Sequence, residues 1–218
     1  FGDHERHAPF GRRPNGIYMP RFRNISDQHP DFTRGYGYQG GGYREGWDRG
    51  VTSEGFGVQL KNRLRDPGDW IMRFVGFGEC LPNPDNTIAL DPVRVDKWGI
   101  PALRIHCAWG ENERKMVQDM SVAAAEMLEA AGAVDVETWA EISKPGEGIH
   151  EMGTARMGRD PRTSVLNEWN QAHDVNNLFV TDGACMPSSA CQNPSITYMA
   201  LTARACAHAV DLINRNEL

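Results

Sequence analysis

No run of this sequence is apolar for the ~18 residues that a bilayer-crossing helix needs. A signal peptide is absent too, and the chain opens at Phe1 rather than Met. The expectation is a fragment whose true amino terminus, with any targeting signal, lies outside it. Periplasm and cytoplasm both remain open. There is no CxxC: the five cysteines (Cys80, Cys107, Cys185, Cys191, Cys206) are odd in number and scattered. That spacing supports neither a zinc site nor a disulfide framework. Cys185 and Cys191 are near enough in sequence for a bridge, but two small half-buried thiols in a packed loop is the simpler expectation. Positive charge is not in excess either. A formal net charge of −6 excludes nucleic acid as the main partner, because no basic field offsets the phosphates. Arg12, Arg13, Arg21 and Arg23 gather near the start, but acids interrupt them, which predicts a solvated face.

What is present is ordinary globular material. Hydrophobic residues make up 40% and charged residues 24%, enough for a real core. A length of 218 residues fits one large domain, or one domain plus part of another. Ile17-Tyr18-Met19 and the tyrosines of Arg34-Gly35-Tyr36-Gly37-Tyr38-Gln39 alternate at period two, which predicts strands. Residues 70–77 are strand-like; Pro82 to Asn86 then form a turn, and Ile88 to Leu90 return as a partner strand. A further strand is expected at 103–109. Met116, Val117, Met120, Ala124, Met127, Leu128 and Ala131 recur at helical spacing, with Gly132 at the left-handed end. Those methionines are expected to fill core gaps. Alternation at 134–139 predicts a strand returning to the sheet. A Gly-rich stretch from 144 to 158, a polar connection to 177, a short buried strand at 178–183 and a helix over about 195–214 complete the chain.

Three segments invite chemistry. In the last helix Asn193 is placed as N-cap and Pro194 as the first helical residue, with Ile196, Met199, Ala200, Ala203, Ala207 and Val210 on one apolar face. Small residues line the loop before it, so its positive end can admit an anion or an electron-rich carbonyl. His150 stands in Gly146-Glu147-Gly148-Ile149-His150-Glu151-Met152-Gly153-Thr154, and histidine is the side chain that is a neutral base near pH 7. A metalloprotease His-Glu-x-x-His fails, since the second position is Thr154. Residues 35–40 match GxGxxG formally, but no buried parallel strand precedes them and no helix follows, so a phosphate loop is not expected.

The ordered set His150-x-x-Gly153-Thr154-x-x-Met157-Gly158, Ser164-Val165-Leu166-Asn167, Asn177-Leu178-Phe179-Val180-x-Asp182-Gly183, Pro187, Asn193-Pro194-Ser195-x-Thr197 and Ala200-Leu201-x-Ala203-Arg204-Ala205 resembles the glucose-methanol-choline (GMC) oxidoreductase family. The likeness is close over residues 145–213. Upstream, residues 34–39 look like a substrate-domain strand of the sugar and polyol dehydrogenase branch.

The resemblance implies an α+β chain: a mostly antiparallel substrate domain backed by helices, then a strand-loop-helix that belongs to an α/β FAD-binding domain. It implies a substrate-binding part at 1–160 and a closing segment of the FAD domain at 161–218. By the same likeness His150 is the base that takes an alcohol's hydroxyl proton, and Asn193 holds the substrate oxygen. Asp182 and Gly183 pack on the flavin, and Pro194 and Ser195 open the helix aimed at its ring. The implied partners are FAD, an alcohol or carbohydrate, and an electron acceptor such as oxygen, a quinone or a redox protein. Two rivals stay open: an FAD-containing lyase on the same fold, and a non-catalytic carbohydrate-binding domain using Trp47, Trp70, Trp98 and Trp109. Core packing accounts for those tryptophans equally well. Because the family's amino-terminal GxGxxG unit is not in this sequence, the purified 218-residue chain should carry no flavin absorbance. A stoichiometric yellow protein would overturn that expectation.

Overall fold

The computed structural model describes residues 16–65 and 68–218; Arg12 and Arg13 of the predicted basic face lie outside them. Strands β1 (Ile17–Met19), β2 (Tyr36–Arg44) and β3 (Trp70–Gly78) form one antiparallel sheet in that order. Strands β4 (Thr87–Val95) and β5 (Pro101–His106) form a separate hairpin. The helices are α1 (Gly57–Arg65), α2 (Glu111–Ala130) and α3 (Ser195–Asn214), with short 3₁₀ turns at Trp47–Val51 and Gly183–Cys185. Antiparallel strands with segregated helices make this the expected α+β class.

The first core lies between the sheet and α2. Tyr36, Tyr38, Phe32, Met116 and Met120 are buried together, so the α2 methionines are core fillers as expected. The helix comes close because β3 offers it glycines. A Cβ on Gly76 would stand 2.7 Å from Met120 Sδ, and one on Gly78 would stand 2.5 Å from Met120 Cε and 2.6 Å from Met116 Sδ. Tyr38 Oη donates to the Met120 carbonyl at 2.6 Å. Burial pushes its phenol up to about 12, so it stays a neutral donor. Asp119 accepts from Tyr36 Oη and from Arg23 Nε at 2.8 Å. Arg23 is therefore a half-buried ion-pair partner rather than part of a solvated face. Gly132 takes φ +87 past the end of α2, as a helix stop requires.

Several expectations need correction. β4 does not return onto β3. β3 pairs with β2 along nine residues, from Tyr36↔Gly78 to Arg44↔Trp70, and no strand takes its other edge among the described residues. β4 instead closes on β5 through a tight turn in which Asp96 Oδ1 accepts from Trp98 N at 2.8 Å and Ile100 N at 2.9 Å. So short a loop costs little closure entropy. Residues 134–139 form no strand, because Asp135 sits at φ +53, in the left-handed region. Trp139 lies under the Arg73 guanidinium instead, at 5.7 Å. Residues 178–183 are not a buried strand: they make one bridge, Gln171↔Phe179, and Leu178 is exposed. A buried strand needs neighbours along both edges, and the described residues supply only this single antiparallel bridge. Trp47 and Trp98 are largely exposed and so are not core, whereas Trp109 is half buried and its Nε1 donates to the Ser143 carbonyl at 2.6 Å. The GxGxxG match runs from Gly35 into β2, in agreement with its rejection as a phosphate loop.

Helix α3 covers the expected residues, Ser195–Asn214. Ile196, Met199, Ala200, Ala203, Ala207 and Val210 are all exposed, while Ala205 and Leu212 are buried. The apolar stripe read from the sequence is real; nothing among the described residues covers it. For the first core, Met120→Ala should cost about 2–5 kcal/mol, because it removes the side chain that fills the space over Gly76 and Gly78. Denaturant unfolding checks this, and an unchanged midpoint would show that the helix–sheet contact is not where stability lies.

Candidate active site

The second core is built from loops. Leu166, Ala172 and Cys185 are buried together, with Ala155, Met157, Val180, Met186 and Leu201 packed around them. What holds it is a run of backbone hydrogen bonds between residues 153–157 and 183–185. Gly153 N donates to Gly183 O at 3.3 Å, Ala155 N to Ala184 O at 2.9 Å, and Met157 N to Cys185 O at 2.8 Å. Asn170, fully buried at φ +63, donates through Nδ2 to the Val180 carbonyl at 3.0 Å. Its Oδ1 accepts from Arg204 Nη2 at 3.2 Å, which fastens α3 to this loop core.

His150 stands at the open end of that run, half buried. The residue before it, Ile149, takes φ +55, where a β-branched side chain is strained. The run continues onto the start of α3. A Cβ on Gly183 would fall 2.8 Å from the Glu151 carbonyl oxygen, 2.9 Å from Tyr198 Oη and 3.2 Å from Met152 Sδ. Tyr198 Oη donates weakly to Met152 Sδ at 3.4 Å. Burial, with Asp182 and Glu151 nearby, holds the Tyr198 phenol above its ordinary range. Asp182 Oδ1 accepts from Ala184 N at 3.0 Å and so caps the short turn Gly183–Cys185. The segment that follows His150 thus lies on Gly183 and, through Met152, on Tyr198 in the first turn of α3. Among the described residues, no hydrogen bond joins His150 directly to Asn193.

Asn193 is not the N-cap. Pro194 holds that place, with no side-chain cap bond, and the Asn193 side chain turns elsewhere. Its Oδ1 accepts from Gln39 Nε2 of β2 at 3.0 Å, away from the first-turn amides. Ser195, Ile196 and Thr197 are exposed, so the positive end of α3 is accessible. A second link ties this loop to the sheet: Ser188 Oγ donates to Glu79 Oε1 at 3.3 Å. Glu79 is buried, with Arg34 Nη1 at 3.5 Å and Arg21 Nη1 at 3.8 Å. Sequence reasoning missed Gln39, Glu79, Asn170 and Tyr198 as parts of the site. Gln39 was visible only as the last residue of a strand pattern. Cys185 and Cys191 are both buried free thiols, with no bridge between them, and burial raises both. Among the described residues no group of three or more His, Cys, Asp and Glu could hold a metal ion.

Comparison with known proteins puts this cluster in context. The family model described as GMC oxidoreductase matches residues 82–202, which include every candidate residue from His150 to Ser195. This chain belongs to the GMC oxidoreductase family. The chain is 39% identical over 138 residues to 2-methyl-1,2-propanediol dehydrogenase of Mycolicibacterium austroafricanum, covering 63% of this chain and 25% of that protein. It is 33% identical over 127 residues to the fructose dehydrogenase large subunit of Gluconobacter japonicus, covering 58% and 23%. It is 32% identical over 155 residues to the gluconate 2-dehydrogenase flavoprotein of Pantoea cypripedii, covering 67% and 25%. The chain thus spans about a quarter of the length of these GMC relatives. Sheet β1–β3, including Gln39, lies upstream of the residues that the GMC model matches.

The close approach at Gly183 has a direct consequence. In Gly183→Ala the new methyl meets a backbone carbonyl, which cannot swing aside as a flexible side chain does. The variant should lose about 1–3 kcal/mol, the usual cost of overpacking. Thermal unfolding reads this; an unaltered midpoint would show that the His150 segment is not packed on Gly183.

Proposed function

We infer that this chain supplies the substrate-facing part and the closing segment of an FAD-dependent oxidoreductase that oxidises a CH–OH group. The observation that carries this is the docking of the His150 segment along Gly183–Cys185, beside the accessible start of α3. Family membership supports it, and relatives named as sugar and polyol dehydrogenases and as oxidases point to an alcohol or carbohydrate substrate. Residues 1–160 are assigned to the substrate-binding part and 161–218 to the FAD domain. The exposed apolar stripe of α3 favours the second assignment, because a helix face so apolar needs a covering surface.

The residues present fit a flavin. The positive end of α3 has no side-chain cap, and its first-turn residues are exposed. Ser195 and its neighbours would offer backbone N–H groups to an electron-rich ring edge, with Pro194 setting the turn and Asp182 and Gly183 lying alongside. When bound, the flavin supplies the two-electron acceptor, and oxygen, a quinone or a redox protein takes those electrons onward.

The protein's own part is proton chemistry and orientation. His150, as neutral imidazole, accepts the hydroxyl proton of the alcohol, and the electron-rich oxygen left behind makes the adjacent C–H a hydride donor. Asn193 donates an amide N–H to that oxygen, an interaction strongest when its charge is greatest. In the flavin-loaded full-length protein, His150→Ala should lose ~10²- to 10⁴-fold in turnover while flavin content stays constant. Retention of more than half the native rate with its best alcohol would remove His150 from the role of base. Anaerobic bleaching of the flavin by substrate separates oxidation from the lyase alternative, in which the flavin stays oxidised.

A further inference from the structure

We propose that Gln39 is a positioning residue for Asn193: it holds the Asn193 carbonyl oxygen and thereby turns the Asn193 NH₂ toward the substrate oxygen. This rests on the role for Asn193 inferred above. Gln39 stands on β2 in register with Tyr18 of β1 and Val75 of β3. Directly paired residues point to the same face of a sheet, so these three side chains share one face. Tyr36 and Tyr38, an even number of residues apart from each other and odd from Gln39, are buried on the α2 side. Period two therefore sends Gln39 to the opposite face, between Gly37 and Gly41, which carry no side chains. There Gln39 Nε2 reaches Asn193 Oδ1 at 3.0 Å, across 154 residues of sequence.

A primary amide has one acceptor oxygen and two donor hydrogens. An amide free to turn presents either end to a ligand, and the oxygen end repels a developing alkoxide. With Oδ1 bonded to Gln39, the amide cannot turn that oxygen away without breaking the bond, so its N–H groups are the end offered. Among the described residues Asn193 Nδ2 has no acceptor of its own, and the Asn193 side chain is exposed. An exposed amide–amide bond adds little to folding, so its loss leaves the fold in place. Orientation of Asn193 is what the contact contributes.

The test compares Gln39→Met, Gln39→Glu, Asn193→Ala and the double variant Gln39→Met/Asn193→Ala in the flavin-loaded full-length protein. The readouts are anaerobic flavin reduction at saturating alcohol, calorimetric affinity for the carbonyl product, and thermal midpoint. Gln39→Met keeps length and removes the donor; it should slow reduction about tenfold, as expected when a catalytic group is misplaced. Product affinity should fall in Gln39→Met and in Asn193→Ala, with the thermal midpoint unchanged. Gln39→Glu should be slower than Gln39→Met, because a carboxylate accepts from Asn193 Nδ2 and turns the amide round. In the Asn193→Ala background, Gln39→Met should add less than about twofold, since no amide remains to orient. Native-rate reduction in Gln39→Met overturns the proposal, as do losses that multiply in the double variant. A lowered midpoint with an unchanged rate per folded molecule also overturns it, by leaving Gln39 a structural contact only. If Asn193→Ala itself reduces flavin at the native rate, the role of Asn193 falls first, and the positioning role of Gln39 falls with it.

Discussion

The approach of residues 151–157 to Gly183–Cys185 constrains every other part of the candidate site. Three backbone hydrogen bonds set its register, and the missing side chain of Gly183 sets its distance. From that contact the His150 segment inherits its place beside Tyr198, one turn into α3. Cys185, Leu166 and Ala172 fill the space beneath, and Asn170 with Arg204 binds the helix to the same core. Little regular secondary structure is involved. A site made of loops needs each of its buried polar groups satisfied locally, and the described residues contain no buried side-chain nitrogen or oxygen without a partner.

The antiparallel sheet is a second constraint, of a different kind. It packs against α2 through tyrosines and methionines, and it presents its other face to the loop that carries Asn193. Glu79 joins the two at the end of β3, with Arg21, Arg34 and Ser188 around its carboxylate. Two guanidinium groups and a serine hydroxyl surround this buried carboxylate, and the loop gains an anchor that does not depend on apolar packing. Such a joint suits a site in which one wall comes from a sheet and the other from a helix start.

Exposed apolar surface gathers on α3 and on the β4–β5 hairpin. The stripe on α3, and the exposed Ile88, Leu90, Val93, Leu103 and Ile105 of the β4–β5 hairpin, exceed what scattered surface residues account for. The periodicity that made α3 recognisable as a helix was read correctly from sequence. Periodicity says that one face is apolar; which surface covers that face is a property of whatever packs on it.

Local chemistry and the ordered motif from His150 to Thr197 were enough, from sequence alone, for the family, for both long helices and for three strands of the sheet. These depend on residue spacing within short windows, where backbone sterics and side-chain period leave few choices. The tertiary structure alone decided that β4 pairs with β5, that residues 134–139 and 178–183 make no strand, and that Pro194 rather than Asn193 caps α3. It alone also placed Gln39 on Asn193. Strand partners and amide contacts across 154 residues depend on which edges and faces are already occupied when the chain closes, and no local pattern encodes that occupancy.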